Sequence, residues 1–114
     1  MKEIQVTARM RIHEGKLEEF KGVAAQALAV VREKDPGVRQ YDWFLSAGQS
    51  ECVVRERYVD SKAVLDHLGI VTEQLGALSG LTDLSLELYG DVSPELRQAV
   101  EAFNPPVYSY LQSL

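Results

Sequence analysis

Cysteine is almost absent from this chain of 114 residues: Cys52 stands alone. An intrachain disulfide and a cysteine-built zinc site are therefore both excluded. Histidine is nearly as scarce, with His13 and His67 far apart and without ligand-type spacing, so no metal constellation is legible. No apolar run approaches the roughly 20 residues needed to span a bilayer. The first residues, MKEIQVTARMRI, alternate polar and apolar instead of running apolar, so no secretory signal is expected and a cytoplasmic protein is. Lys and Arg number 12 against 17 Asp and Glu, and the net charge of −5 is spread along the chain. Lacking a basic patch or tail, the chain has neither nucleic acid nor an anionic membrane surface as an expected partner. Repeats and low-complexity linkers are missing too, and the length fits one domain over residues 1–114.

What is present patterns cleanly. The apolar fraction of 46% is enough to build one core. Ile4, Val6, Ala8, Met10 and Ile12 alternate with Gln5, Thr7, Arg9 and Arg11, which predicts a half-buried strand. Leu17, Phe20, Ala24, Ala27, Leu28 and Val31 then fall on one helical stripe, ended by Asp35-Pro36-Gly37. Two strand-like runs, 38–47 and 51–59, flank Gly48-Gln49-Ser50 and predict a β-hairpin. Asp60 or Ser61 can cap a second helix with the stripe Val64, Leu68, Val71, Leu75 and Leu78, weakened at Gly69 and Gly76. A fourth strand follows, with Leu84, Leu86 and Leu88 on one face. Ser93-Pro94-Glu95 opens a short helix to about Phe103, and the tail VYSYLQSL is apolar enough to pack.

The order is β-α-β-β-α-β plus a C-terminal helix. It predicts an α+β, ferredoxin-like domain with a four-stranded antiparallel sheet and two helices on one face. The other face carries arginines beside apolar and aromatic groups, which favours a covering partner, and dimerisation through that face is the expectation.

Alternation puts Cys52, Val54, Glu56 and Tyr58 on one face of the third strand, and Arg39, Tyr41, Trp43 and Leu45 on one face of the second. At about 100° per residue, His67 lies about 20° outside the apolar stripe of its helix and so borders the buried face. Tyr41 and Trp43 could wall a flat apolar slot of the kind that accepts planar ligands. His67 is the one group there whose ordinary pKa, about 6.5, suits a base at neutral pH. The bland alternatives stand beside these: His67 as a structural hydrogen-bonded histidine, Glu56 as its partner or an arginine's, the aromatics as core packing. Cys52, in an apolar strand, reads as a buried inert thiol.

Three stretches, HEGKLEEF, DPGVRQYDWF and ERYVDSKAVLDHL, resemble in order and spacing the antibiotic biosynthesis monooxygenase domains. In the last stretch such domains show a Glu, an aromatic two residues on and a His nine beyond, here Glu56, Tyr58 and His67. The resemblance covers residues 3–90, leaving the C-terminal helix and tail, 93–114, outside. It implies a homodimeric α+β barrel with a pocket between sheet and helices. It further implies cofactor-independent oxidation of a small aromatic or quinol-like molecule, with no cofactor and no metal. Catalytic roles would fall to His67 and Tyr58, and substrate contacts to Trp43, Tyr41 and Glu56. A non-catalytic small-molecule-binding or interaction protein on the same fold is the alternative. Haem degradation fits less well, because the first strand has no Asn and positions 74–80 hold no His.

Overall fold

The computed structural model describes residues 2–114. Among them β1 (Ile4–Ile12), α1 (Leu17–Lys34), β2 (Val38–Leu45), β3 (Glu51–Tyr58), α2 (Ser61–Ile70), α3 (Thr72–Leu81) and β4 (Thr82–Tyr89) follow the expected order. A short α4 (Pro94–Ala99), one 3-10 turn (Glu101–Phe103) and β5 (Val107–Tyr108) complete it.

The sheet departs from the four-stranded antiparallel expectation. It has five strands in the order β2-β3-β1-β4-β5, and β5 runs parallel to β4 through Leu88–Val107 and Tyr89–Tyr108. Asn104-Pro105-Pro106 ends the helical stretch, and the residues beyond it turn back along β4, where Tyr108 stacks on Tyr89 at 5.3 Å. That register is too short for sequence alternation to reveal. Of the tail expected to pack, Val107 and Tyr108 lie along β4, while Leu111 and Leu114 are exposed. The C-terminal helix is likewise shorter than the expected run to Phe103, which the 3-10 turn finishes.

Cross-strand pairing builds the buried face in rows. Val38, Tyr58 and Ile4 form one, Tyr41, Glu56, Val6 and Leu88 the next, and Trp43, Val54, Ala8 and Leu86 a third. A bulge between Val38 and Gln40 keeps Tyr41 on this face. Arg39 sits in that bulge and is exposed, so it does not share the face of Tyr41 and Trp43 as strict alternation predicts. The helices lie over these rows with Phe20, Ala27 and Val31 of α1, Val64 and His67 of α2 and Leu78 of α3 buried. Leu96 and Val100 close one end of the same core.

The expected second helix is two helices, broken at Val71, beside Gly69. Thr72 Oγ donates to the Leu68 carbonyl at 2.7 Å, a side-chain bond that competes with the helical ladder just past the break. Asp60 is the cap, its side chain accepting from the Ala63 amide at 2.8 Å. Ser61 is the first helical residue, and its hydroxyl accepts from the Ser93 amide.

On the opposite face β1 to β4 present Arg9, Arg55 and Arg57 among Asp42, Glu87, Phe44 and Tyr89. Arg9 pairs with Glu87 at 3.7 Å, and Arg57 reaches Glu3 at 3.1 Å. Among the described residues no helix is long and apolar enough to cross a membrane.

Candidate functional site

The largely apolar buried side of the sheet carries one cluster of ionisable groups. Glu56 and Tyr58 of β3 are adjacent inward positions, and the Tyr58 hydroxyl donates to Glu56. Across from them, α2 delivers His67, whose Nε2 lies 3.8 Å from Glu56 Oε1. Its other ring nitrogen, Nδ1, is 2.8 Å from Asp35 Oδ2. A carboxylate can only accept, so Nδ1 carries the proton and Nε2 keeps its lone pair on the Glu56 side. Asp35, His67, Glu56 and Tyr58 are all less than 9% exposed.

Local structure explains why four polar groups meet there. Asp35 caps the C-terminus of α1, its amide bonded to the Val31 carbonyl, and Pro36-Gly37 turns the chain into β2. Gly37 lies so close to α2 that an added Cβ would come within 2.8 Å of the Ala63 Cβ, and this contact holds the turn against the helix bearing His67. The aromatic residues complete the setting. Tyr41 and Tyr58 each meet the His67 ring edge-on at 5.2 Å, and Trp43 continues the row 5.7 Å from Tyr41 and 6.2 Å from Phe20.

Burial dominates the electrostatics. It pushes the Glu56 pKa from its ordinary 4.5 up to about 7, with the Tyr58 hydrogen bond pulling back. It lowers His67 below its ordinary 6.5, against which Asp35 works in the other direction. Tyr41 and Tyr58 are raised by burial and by the nearby carboxylates, so both stay protonated as donors. A neutral imidazole with one free nitrogen thus sits beside a carboxyl group that titrates near neutrality. That arrangement can accept a proton and pass it on.

The site opens on a largely apolar cavity of about 60 Å³. His67, Glu56, Tyr41 and Trp43 line one side, and Leu68, Val71 and Gln74 of the broken helix another. Its floor is Ala8 of β1 with Ala27 of α1 opposite, both small where neighbouring rows carry Val, Leu and Met. As it stands the cavity is well below the 150 Å³ or so that accommodates a benzene ring. Two of the residues that line it carry a buried polar atom with no hydrogen-bond partner among the described residues, Trp43 Nε1 and Gln74 Oε1. Each such vacancy costs on the order of 1–3 kcal/mol.

Of the five residues singled out from the sequence, His67, Glu56, Tyr41 and Trp43 line this space, whereas Tyr58 does not and is wholly buried, bonded to Glu56. Two residues escaped that reading. Asp35 looked only like a helix stop, and nothing local signals a partner 32 residues away. Gln74 is a polar residue between apolar stripe positions, a weak signal that burial alone makes visible. His13 is half-exposed and pairs with Asp83 at 3.0 Å, away from the cavity. Cys52 is buried, with its thiol pKa pushed up by burial to about 11, which leaves it inert at neutral pH. Among the described residues no three His, Cys, Asp or Glu side chains are grouped to hold a metal ion.

The profile of the antibiotic biosynthesis monooxygenase family matches residues 4–70, and the chain belongs to that family. Its fold is similar to that of MupZ from Pseudomonas fluorescens, at 22% identity and a TM-score of 0.85, over 100% of this chain and 94% of that one. A putative antibiotic biosynthesis monooxygenase from Caulobacter crescentus CB15 aligns at 23% identity and TM-score 0.70, over 76% and 87% of the two chains. SnoaB from Streptomyces nogalater, a cofactor-independent oxygenase, aligns at 21% identity and TM-score 0.68, over 77% and 91%. MupZ alone of these three matches along the full chain, the C-terminal helix and tail included. No curated protein matches the chain.

Proposed function

We propose that the protein is a cofactor-independent monooxygenase acting on a small, electron-rich aromatic or quinol-like molecule. The observation that carries this reading is the buried imidazole bordering the cavity, with Nδ1 held by Asp35 and Nε2 free. A phenolic hydroxyl at Nε2 would lose its proton there. The phenolate then supplies the electrons that reduce dioxygen: one oxygen atom enters the product, and the other leaves as water with two substrate hydrogens. Glu56, titrating near pH 7, takes part in relaying the proton, while Tyr41 donates to the substrate oxygen and Trp43 packs on the ring. Tyr58 supports Glu56 from behind. The cavity as it stands is too small for an aromatic ring, so ligand entry would need it to enlarge, and the break at Val71 is a place where α3 can give way. Two subunits pairing through their mixed polar–apolar sheet faces belong to the same reading.

The test is oxygen uptake with a model hydroquinone. Wild-type protein should consume oxygen without added metal or flavin, and a folded His67→Ala variant should lose the activity by at least about 100-fold. Full activity in that variant sinks the base assignment. The largely apolar lining favours a second reading, a binding protein without turnover; saturable ligand binding with no oxygen uptake would select it.

A further inference from the structure

Oxygenation as proposed needs a base, His67, and uses the Glu56 carboxyl group only as a relay. The surroundings of Glu56 suit it to more than that. No lysine or arginine is among the described residues that line the cavity, so an ionised Glu56 would lack a fixed countercharge there. Its one basic neighbour within 4 Å among those residues is His67. Burial accordingly pushes its pKa up to about 7, which keeps the carboxyl group in large part protonated at neutral pH. Tyr58 donates to Oε1, leaving the other oxygen to carry that proton. His67 is the complement, with Nδ1 committed to Asp35 and Nε2 free. At 3.8 Å, Nε2 and Oε1 are too far apart to bond each other, yet close enough for one small ligand to meet both groups. An acid and a base whose environments push their pKa values in opposite directions thus stand side by side. The charges that would form also fit. A proton gained by His67 and one given up by Glu56 leave an imidazolium between two carboxylates, Asp35 at 2.8 Å and Glu56 at 3.8 Å.

From this geometry we infer a second, redox-neutral activity: an isomerisation that moves a hydrogen and a double bond along a small ketone. The ligand class is a carbonyl compound with a C–H group between the carbonyl and a carbon–carbon double bond. His67 Nε2 takes the proton from that carbon while the Glu56 carboxyl group protonates the carbonyl oxygen, and a neutral dienol forms. The imidazolium then returns its proton to the far end of the diene, and Glu56 recovers its own from the enol hydroxyl. One C–H bond breaks, another forms, and the double bond shifts into conjugation. Nothing is oxidised or reduced. Only the cavity as ligand site, and its enlargement to admit a ring, are shared with the oxygenase reading. Dioxygen plays no part.

Conversion of 3-cyclohexen-1-one to 2-cyclohexen-1-one tests it, followed anaerobically at neutral pH by the rise in conjugated-enone absorbance. Wild-type protein should speed the conversion at least about 100-fold over buffer, the lower end for a positioned acid or base. A folded His67→Ala variant should lose most of that acceleration. Glu56→Gln keeps the shape and a hydrogen-bond donor but has no proton to give, and should lose about tenfold or more. Glu56→Met serves if the glutamine variant does not fold. A wild-type rate no faster than buffer at millimolar probe overturns the inference, and so does full activity in a folded Glu56 or His67 variant. Isomerisation without oxygen uptake from hydroquinone sinks the oxygenase reading and leaves the isomerase standing. Oxygen uptake without isomerisation does the reverse.

Discussion

Asp35 and Glu56 place carboxyl groups on both sides of one imidazole, and burial separates their duties. The Asp35 side sets the tautomer of His67; the Glu56 side stores or releases a proton near pH 7. Replacing Asp35 by Asn offers the ring an amide in place of an obligate acceptor, so the proton is free to move to Nε2. The expected result is a drop in activity of about 10- to 100-fold, the range for lost partners of functional histidines. A change in His67 tautomer, visible in its ring-nitrogen NMR shifts, should accompany it. Glu56 makes a pH prediction. Its folded-state pKa, about 7, lies above the ordinary 4.5 because burial disfavours the charge. Its contribution to stability is therefore fully present below pH 4.5 and is lost as pH rises through about 7. His67 runs the opposite way: burial lowers its pKa, so its contribution is lost as pH falls below 6.5. The difference between Glu56→Gln and wild type isolates the carboxyl group. In urea unfolding it should move in the variant's favour by up to about 3 kcal/mol from pH 4 to pH 8. A pH-independent difference would mean that Glu56 keeps its ordinary pKa in the folded protein. At this scale the sequence exposes residue types well and partnerships poorly. His67, Glu56 and Tyr58 were legible because strand alternation and helical angle fix where side chains point. Asp35 was not, because Asp-Pro-Gly satisfies the local grammar of a helix stop.

Elements carry the site by contact between backbones. Gly37 approaches Ala63 so closely that α2 is packed against the turn holding Asp35. Gly37→Ala should destabilise the fold by about 1–3 kcal/mol, since a methyl group there meets the Ala63 side chain and the helix must give way. Calorimetric melting measures the loss, and a Gly37→Ala, Ala63→Gly double variant should recover much of it by restoring the space. Strands with strict alternation, β1 above all, were readable residue by residue, as each apolar position from Ile4 to Ile12 is buried. Where backbone irregularity intervenes, reading failed in a specific way. The bulge in β2 took Arg39 off the face of Tyr41, and no residue type announced it. The broken second helix was half-legible: Gly69 and Gly76 weaken the run, but the break falls at Val71, where Thr72 turns its hydroxyl back on the Leu68 carbonyl.

The whole molecule has a sheet with one face occupied and the other carrying Arg9, Arg55, Phe44 and Tyr89, with Phe44 55% exposed. Two copies associated through this face should give twice the chain mass of 12.7 kDa in sedimentation equilibrium, and Phe44→Asp should shift it toward one. A wild-type protein that sediments as a monomer at high concentration would refute the pairing. The order of elements made the ferredoxin-like core legible from hydrophobic periods alone. The fifth strand was not, because two paired residues have no period.

That brief strand has a use beyond the site. A sheet is a template at each bare edge, and a molecule with two free edges can add neighbours on both sides without end. β2 leaves one long edge bare, but Val107 and Tyr108 occupy the β4 edge at Leu88 and Tyr89. With that end of the β4 edge covered, strand addition there is opposed. Removing residues 105–114 should bare it and promote edge-to-edge association, visible as light scattering that climbs with time and concentration.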